Sequence, residues 1–177
     1  MNIKYLYAFI LLSLLSISFY NLQAASKLLG KAVPIFKSQA VFPDGSVGLF
    51  DLQDYVGKNL IIYFYPMDSS PNCTIQAKKF RDEIGRLNKE NIFVVGVSTD
   101  SIKSHLKFQK KLALPFPLVS DESHKHAISK MYKTKGWVFD NRSTFLVNKK
   151  GIVFKVFDKV DIKNQIEDIL ECFAEQK

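Results

Sequence analysis

One cysteine follows a buried-strand pattern and precedes a helical pattern, and this order constrains the fold more than any other feature of the chain. Residues 60–65 form a continuous apolar segment rich in β-branched and aromatic side chains, which is typical of a buried strand. Pro66 ends the segment because proline cannot donate a hydrogen bond to a sheet ladder. Ser69 or Ser70 can then cap a helix. Cys73 lies in the first turn of that predicted helix.

The helix that begins near Cys73 has one apolar face. Ala77, Phe80, Ile84 and Leu87 recur at steps of three and four residues, which predicts a single buried face through residue 87. Backbone N–H groups and the helix dipole favour negative charge in the first turn. Such surroundings favour the thiolate form of a cysteine, so the pattern indicates a reactive thiol rather than an inert buried one.

The rest of the chain alternates between strand and helix patterns. The predicted segments are an edge strand at 47–52, a buried strand at 91–98, a helix at 101–112, an extended piece at 115–121, a helix at 123–132, a hairpin of 143–147 with 152–157, and a last helix capped by Asp161. This order indicates an α/β fold with a central mixed β-sheet flanked by helices.

Composition is that of one ordinary domain. The chain has 177 residues, of which 47% are hydrophobic, and this fraction argues against disorder. The formal net charge is +8, but the lysines are spread as pairs, without a long basic run or a nucleic-acid motif. We therefore expect a solvated surface and no nucleic-acid partner.

Residues 1–24 have the pattern of a signal peptide. Lys4 supplies a positive charge, residues 5–19 are largely apolar, and small residues follow, which predicts cleavage after Ala24 or Ala25. The apolar run is shorter than the roughly 20 residues that span a bilayer, although an uncleaved membrane anchor is the alternative. The domain at residues 25–177 is then expected outside the cytoplasm, where disulfides persist.

The residues around Cys73 resemble the peroxiredoxin signature, in which a proline precedes Thr or Ser by four positions and the peroxidatic cysteine by seven. Here these residues are Pro66, Ser70 and Cys73. Further stretches resemble the bacterioferritin comigratory protein (Q-type) branch: residues 30–36, 44–45, 57–58, 63–66, 96–100, 104–105, 107–108, 114–116 and 142–145. The resemblance covers the chain from Gly30 to the C-terminus and implies a thioredoxin-like fold and a thiol-dependent hydroperoxide reductase.

The resemblance also implies roles for individual residues. Cys73 would attack a hydroperoxide and become sulfenic acid. Ser70 would donate to the thiolate or hold a peroxide oxygen, although a plain helix cap would look the same. Pro66 would shield the site, or only terminate the strand. Arg142 would contact the thiolate and the peroxide, whereas without the resemblance it reads as a surface arginine.

The fate of the sulfenic acid depends on the second thiol. Many Q-type relatives have a resolving cysteine five residues after the first, where this chain has Lys78. The only other cysteine is Cys172, which reads as a small core residue or as a resolving thiol. Met67 and Asn72 also depart from the family pattern. We expect an external reductant, either a thioredoxin-like protein or a low-molecular-weight thiol, and a monomer or weak homodimer.

Metal and cofactor sites are not expected. His124 and His126 form an H-x-H pair, but a helix there would put the rings on different faces. His105 reads as packing or polar support. The chain lacks a Cys-x-x-Cys pair and a Gly-rich phosphate loop, which argues against a thioredoxin-type disulfide exchanger and a nucleotide site.

The leading hypothesis is an exported peroxidase for antioxidant defence. Two glycosylation sequons, Asn72-Cys73-Thr74 and Asn141-Arg142-Ser143, straddle the expected site, and because a glycan would crowd it, a bacterial periplasmic protein is favoured. The alternatives are a non-catalytic redox sensor or partner-binding protein, and a reductase of protein disulfides that uses Cys73 alone.

Overall fold

A single seven-stranded sheet organises the chain. The structure, a computed structural model, describes residues 25–122, 126–136 and 140–176. The strands are β1 (Lys37–Val41), β2 (Val47–Asp51), β3 (Asn59–Phe64), β4 (Ile92–Ser98), β5 (Leu118–Ser120), β6 (Ser143–Val147) and β7 (Val153–Phe157). Their order is β2-β1-β5-β4-β3-β6-β7. Strands β3, β4 and β5 pair in parallel and the other pairs are antiparallel, which confirms the predicted mixed sheet.

Helices flank this sheet. They are α1 (Pro71–Asp82), α2 (Ile84–Lys89), α3 (Ile102–Leu112), α4 (Ala127–Met131) and α5 (Gln165–Ala174), with short 3-10 turns at Ala25–Leu28 and Leu52–Tyr55. The prediction of one continuous helix through residue 87 is wrong, because Glu83 leaves helical geometry with φ −98° and ψ 4° and starts a second helix. Leu87 is nevertheless buried, as its spacing predicted.

Two other predicted boundaries differ from the structure. Asp161 does not cap the last helix: its carboxylate accepts hydrogen bonds from the Lys163 backbone N–H and the Asn164 side chain, and helix α5 begins at Gln165. The predicted helix at 123–132 lies partly outside the described residues, and its described part begins at Ala127. Before α5 the local side-chain bonds to Asp161 delay the start of the helix. Before α4, His126 has left-handed geometry with φ 61°.

Two hydrophobic cores lie on opposite faces of the sheet. Side chains of a strand alternate between faces, so Ile61 and Tyr63 of β3 join the core beneath α1, α3 and α5. Ile62 and Phe64 join the other core, which includes residues of α4 and the N-terminal segment. After Asn59, every residue of β3 is apolar or aromatic and buried, as expected for a central strand that is covered on both faces.

The topology brings three segments to one edge of the sheet. Strand β3 ends at Phe64 and leads into the loop of residues 65–70, which precedes α1. Strand β6 runs antiparallel to β3, with Ser143 paired to Phe64, so the residue before β6 lies beside the end of β3. Strand β4 is parallel to β3 and ends nearby at Ser98.

Residues 1–24, for which the sequence predicts a signal peptide, lie outside the residues that the structure describes. Within the three described ranges, no helix combines the length and the apolar character needed to cross a bilayer.

Candidate active site

Cys73 lies in the first turn of α1 with its thiol in the core. Pro71 is the first helical residue, where its missing N–H costs nothing. The Cys73 residue is only 2% exposed and packs in the same cluster as Tyr63 and Phe80. Both cysteines of the chain are free thiols. Cys73 therefore lies at the start of a helix, as predicted, and it is more deeply buried than the sequence alone indicated.

Arg142 makes a direct contact with this thiol. Its Nη2 atom donates to Cys73 Sγ at 3.1 Å. The contact arises because Arg142 immediately precedes β6, whose first residue pairs with the last residue of β3. The guanidinium is a fixed donor array beside the sulfur, and in a water-poor environment such donors stabilise developing negative charge strongly.

A chain of amide side chains extends from the guanidinium. Arg142 Nη1 donates to Gln76 Oε1. Gln76 Nε2 donates to Gln165 Oε1 at 2.9 Å, and Gln165 Nε2 donates to Thr144 Oγ1 at 2.8 Å. The side chains that follow Arg142 in this chain of hydrogen bonds, Gln76, Gln165 and Thr144, are all buried. The arginine is thus linked to helices α1 and α5 and to strand β6.

Ser70 and Pro66 lie on the loop that leads into α1. Ser70 is the residue before the helix, with extended geometry (φ −65°, ψ 150°), and its carbonyl accepts from the Thr74 backbone N–H at 2.9 Å. Its hydroxyl makes no capping bond, so the predicted side-chain cap is not formed. Ser69 has φ 60°, the left-handed region, which turns the chain into the helix. Pro66 is half-buried at the strand end.

Asp68 holds the same loop in place through buried hydrogen bonds. Its Oδ1 accepts from the Tyr65 hydroxyl at 2.9 Å, and its Oδ2 lies 2.9 Å from His105 Nδ1. Its backbone N–H donates to Asp100 Oδ2 at 2.8 Å. The Asp68 and His105 side chains are 2% and 0% exposed. His105 therefore supports the loop by a polar contact, which is one of the two roles expected for it.

Tyr63 has a buried hydroxyl in the same core cluster as Cys73. Its ring lies within the core against Phe80, and burial raises the pKa of the Tyr63 phenol well above its ordinary value, with Asp68 and Cys73 adding to the effect. The group therefore remains a neutral hydroxyl. Its oxygen is buried without a hydrogen-bond partner in the described part of the chain.

Cys172 lies in different surroundings from Cys73. It is half-buried on α5 and packs at the edge of the first core. Burial raises the pKa of the Cys172 thiol from its ordinary value, which disfavours the nucleophilic thiolate. Lys78, at the position of the resolving cysteine of many Q-type relatives, is exposed on α1.

Asp140, two residues before Arg142, is joined to Asp121 through Ser129 in a buried acidic pair. Ser129 Oγ donates to Asp121 Oδ2 at 2.7 Å and also contacts Asp140 Oδ2. One hydroxyl proton satisfies one carboxylate, so the pair is best satisfied when Asp140 is protonated and donates to Ser129. Burial, reinforced by the charge of Asp121, raises the pKa of Asp140 to about 6.

The described residues contain no group of three or more His, Cys, Asp or Glu side chains arranged to hold a metal ion. His124 lies outside the described ranges. His126 precedes α4 with φ 61° instead of lying within a helix, so the helical argument for separating the two rings does not apply.

Sequence reasoning missed Gln76, Gln165, Thr144 and Asp68. Gln76 offered a signal, because a polar residue three positions after Cys73 falls on the buried face of the predicted helix. The networks of the others depend on partners that are distant along the chain: Asp68 and His105 are 37 residues apart, and Gln76 and Gln165 are 89 apart.

Comparisons with known proteins agree with this geometry. Residues 29–156 match the family model described as AhpC/TSA family. A bcp peroxiredoxin homologue of Coxiella burnetii is 34% identical over 152 residues, covering 80% of this chain and 95% of the relative. Peroxiredoxin Bcp of Bacillus subtilis is 39% identical over 130 residues, covering 70% and 83%.

A solved structure extends the likeness to the fold. The bacterioferritin comigratory protein of Xanthomonas campestris, in a study of its alkyl peroxide reduction activity, superposes with a TM-score of 0.72 at 27% identity, over 82% of this chain and 99% of that one. Peroxiredoxins reduce hydroperoxides at the expense of thiols. This chain belongs to the AhpC/TSA family, in its Bcp or peroxiredoxin Q branch, and is a thiol-dependent peroxidase with a thioredoxin-like fold.

Proposed function

We propose that Cys73 is the peroxidatic cysteine and that the enzyme reduces hydrogen peroxide and organic hydroperoxides. The observation that supports this assignment is the Arg142 Nη2 contact with Cys73 Sγ at 3.1 Å in a buried site. A guanidinium so close to sulfur stabilises the thiolate, which is the nucleophilic form. The alkyl peroxide activity named for the Xanthomonas relative supports the inclusion of organic hydroperoxides.

The proposed chemical step is a displacement at the terminal peroxide oxygen. The Cys73 sulfur donates an electron pair to that oxygen, an S–O bond forms, and the O–O bond breaks. Sulfur is oxidised to sulfenic acid and the peroxide is reduced to an alkoxide, or to hydroxide from hydrogen peroxide, which takes up one proton to leave as an alcohol or water. Arg142 donates hydrogen bonds where negative charge develops. We propose that the Ser70 hydroxyl, on the adjoining loop, supports the peroxide and that Pro66 limits the access of water.

We propose that an external thiol reduces the sulfenic acid. A first thiol forms a mixed disulfide with Cys73 and releases water, and a second thiol then regenerates Cys73 and leaves as a disulfide. Three features support this one-cysteine cycle: Lys78 replaces the usual resolving residue, Cys172 is half-buried, and the raised pKa of Cys172 disfavours its thiolate. The reductant is a thioredoxin-like protein or a small thiol.

Mass spectrometry of the intact reduced protein tests the assignment. Brief exposure to equimolar hydrogen peroxide should add about 16 Da, the mass of one oxygen. Cys73→Ser should abolish both this gain and peroxide consumption, whereas Cys172→Ser, the matched control, should retain the gain. A loss of about 2 Da, or a disulfide-linked dimer that Cys172→Ser abolishes, would make Cys172 the resolving thiol. Wild-type turnover by Cys73→Ser would refute the assignment.

We also propose that the enzyme is exported and acts in a bacterial periplasm. The proposal is supported by Lys4, the apolar residues 5–19 and the small residues Ala24 and Ala25. Expression of the full chain in a Gram-negative host, followed by fractionation and N-terminal sequencing, tests it. A periplasmic product that begins at residue 25 or 26 supports export with cleavage. A membrane-bound full-length product would indicate an uncleaved anchor, and a full-length product in the cytoplasm would overturn the proposal.

A further inference from the structure

We propose that Gln165 is a positioning residue for Arg142, acting through Gln76 along the amide chain that ends at Thr144. The inference deepens the proposed role of Cys73 and rests on it. Its basis is the direction in which each hydrogen bond of that chain has to run.

The donor chemistry of Arg142 sets every later orientation. A guanidinium has donors only, so Gln76 has to present its carbonyl oxygen to Arg142. The amide nitrogen of Gln76 then points away and needs an acceptor, which Gln165 Oε1 provides at 2.9 Å. The Gln165 nitrogen in turn donates to Thr144 Oγ1 at 2.8 Å. If either amide turned over, an N–H donor would face another N–H donor, so neither hydrogen bond can change direction.

Because Gln165 and its partners are buried, water cannot readily take over the hydrogen bonds that Gln165 makes. Gln76, Gln165 and Thr144 are 0%, 3% and 0% exposed. If Gln165 lost its oxygen, the Gln76 amide nitrogen would be buried without an acceptor. The Gln76 side chain would then rotate towards another acceptor, which withdraws its carbonyl oxygen from Arg142 and releases the guanidinium from its place beside the sulfur. Gln165 thus fixes the side-chain position in which Gln76 holds the arginine.

The chain also joins three separate elements. Gln76 lies one turn after Cys73 on α1, Thr144 lies two residues after Arg142 on β6, and Gln165 is the first residue of α5. A second link between α1 and the segment before α5 is formed by Lys79 Nζ, which donates to the Lys163 carbonyl at 2.8 Å. The docking of α5 therefore sets the position of the arginine.

A double-mutant cycle on thiol reactivity tests the proposal. The measurement is the pH profile of Cys73 alkylation by iodoacetamide, in a Cys172→Ser background so that one thiol reports. We expect Gln165→Leu to slow alkylation at neutral pH by about tenfold and to move the profile towards alkaline pH, because a small displacement of a catalytic group has large rate effects. In an Arg142→Met background, the same change should add nothing.

Matched variants separate positioning from general destabilisation. Ile169→Val removes a buried methyl from the same helix and should leave the profile unchanged. Thr144→Ser retains the hydroxyl and should behave as wild type, whereas Thr144→Val should shift the profile in the direction of Gln165→Leu. Equal slowing by Gln165→Leu with and without Arg142, or the same shift in Ile169→Val, would overturn the proposal.

Peroxide consumption is measured separately on the same variants. If the wild-type protein fails to consume peroxide, the proposed function falls, yet the alkylation cycle still reports whether Gln165 positions Arg142. If peroxide is consumed and the cycle shows no coupling, only the positioning role is lost.

Discussion

The carboxylate of Asp68 should contribute more to stability than a surface acidic group, because it satisfies two buried donors. Asp68→Ala removes the carboxylate acceptor of both the Tyr65 hydroxyl and His105 Nδ1, and leaves these two groups only a long contact of 3.5 Å with each other. An unsatisfied buried donor costs about 1–3 kcal/mol, so the two together predict a loss of about 4 kcal/mol in the free energy of unfolding. This value agrees with the cost of about 3–5 kcal/mol for removing one partner of a buried pair.

Urea unfolding followed by circular dichroism measures this loss. For a domain of this size the dependence on urea is about 2 kcal/mol per molar, so the midpoint should fall by about 2 M. Asp68→Asn retains one carbonyl acceptor and should lose about half as much. Asp54→Ala, at an exposed position, is the control and should shift the midpoint little. If Asp68→Ala unfolded within about 0.5 M of the wild type, the argument for this network would be refuted.

The same substitution should affect activity at a temperature where the variant stays folded. The loop of residues 65–70 holds Pro66 and Ser70, and Asp68 fixes its middle through the side chain and through the backbone bond to Asp100. A looser loop should lower the second-order rate constant with peroxide in Asp68→Ala more than in Asp68→Asn. Equal rate constants in the two variants and the wild type would show that the anchor serves stability alone.

Three other perturbations have expected outcomes. Arg142→Lys keeps a cation but loses the guanidinium fork that contacts both Cys73 and Gln76. Stopped-flow kinetics should therefore show a second-order rate constant with peroxide that is about 10- to 100-fold lower. Gly96→Ala would place a methyl 2.8 Å from the Tyr63 ring, and its melting curve should show a loss of about 1–3 kcal/mol. Asp140, with its pKa raised to about 6, stabilises the fold below pH 4, and this contribution is lost as the pH rises through about 6. Between pH 4 and 7, the free energy of unfolding measured by urea titration should fall by about 2 kcal/mol less in Asp140→Asn than in the wild type.

Much of the sheet could be predicted because its signals are local. The apolar run before Pro66, the segment ending at Ser98 and the hairpin after Ser143 each have a strand pattern that needs no distant partner. Strand β1 was missed, because residues 37–41 alternate only partly and their burial depends on pairing with β5 and β2. The helix break at Glu83 was also missed, since the apolar spacing continues across it.

The candidate site was predictable to the extent that it is a sequence motif. Cys73 and Arg142 are 69 residues apart, and only the family resemblance related them before the register of β3 and β6 brought them together. Gln76 offered only its place on the buried helix face as a signal, and Gln165 offered none, because the role of a buried amide depends on its partner. Tertiary hydrogen bonds thus account for the part of the site that sequence patterns did not contain.

The two thiols of the chain are distinguished by the charges beside them. Cys73 and Cys172 are both at least partly buried on helices, and burial alone disfavours a thiolate. Cys73 is compensated by the guanidinium of Arg142 at 3.1 Å. Cys172 has Lys155 as a favourable charge, but the other nearby charges are carboxylates: Glu175, Asp168 and Glu171. Because the arginine reaches only Cys73, a nucleophile is expected at one end of the core and a neutral packing thiol at the other. Exchange of the two roles would require α5 to leave its site on α1, which would also break the Gln76–Gln165 bond and release the arginine.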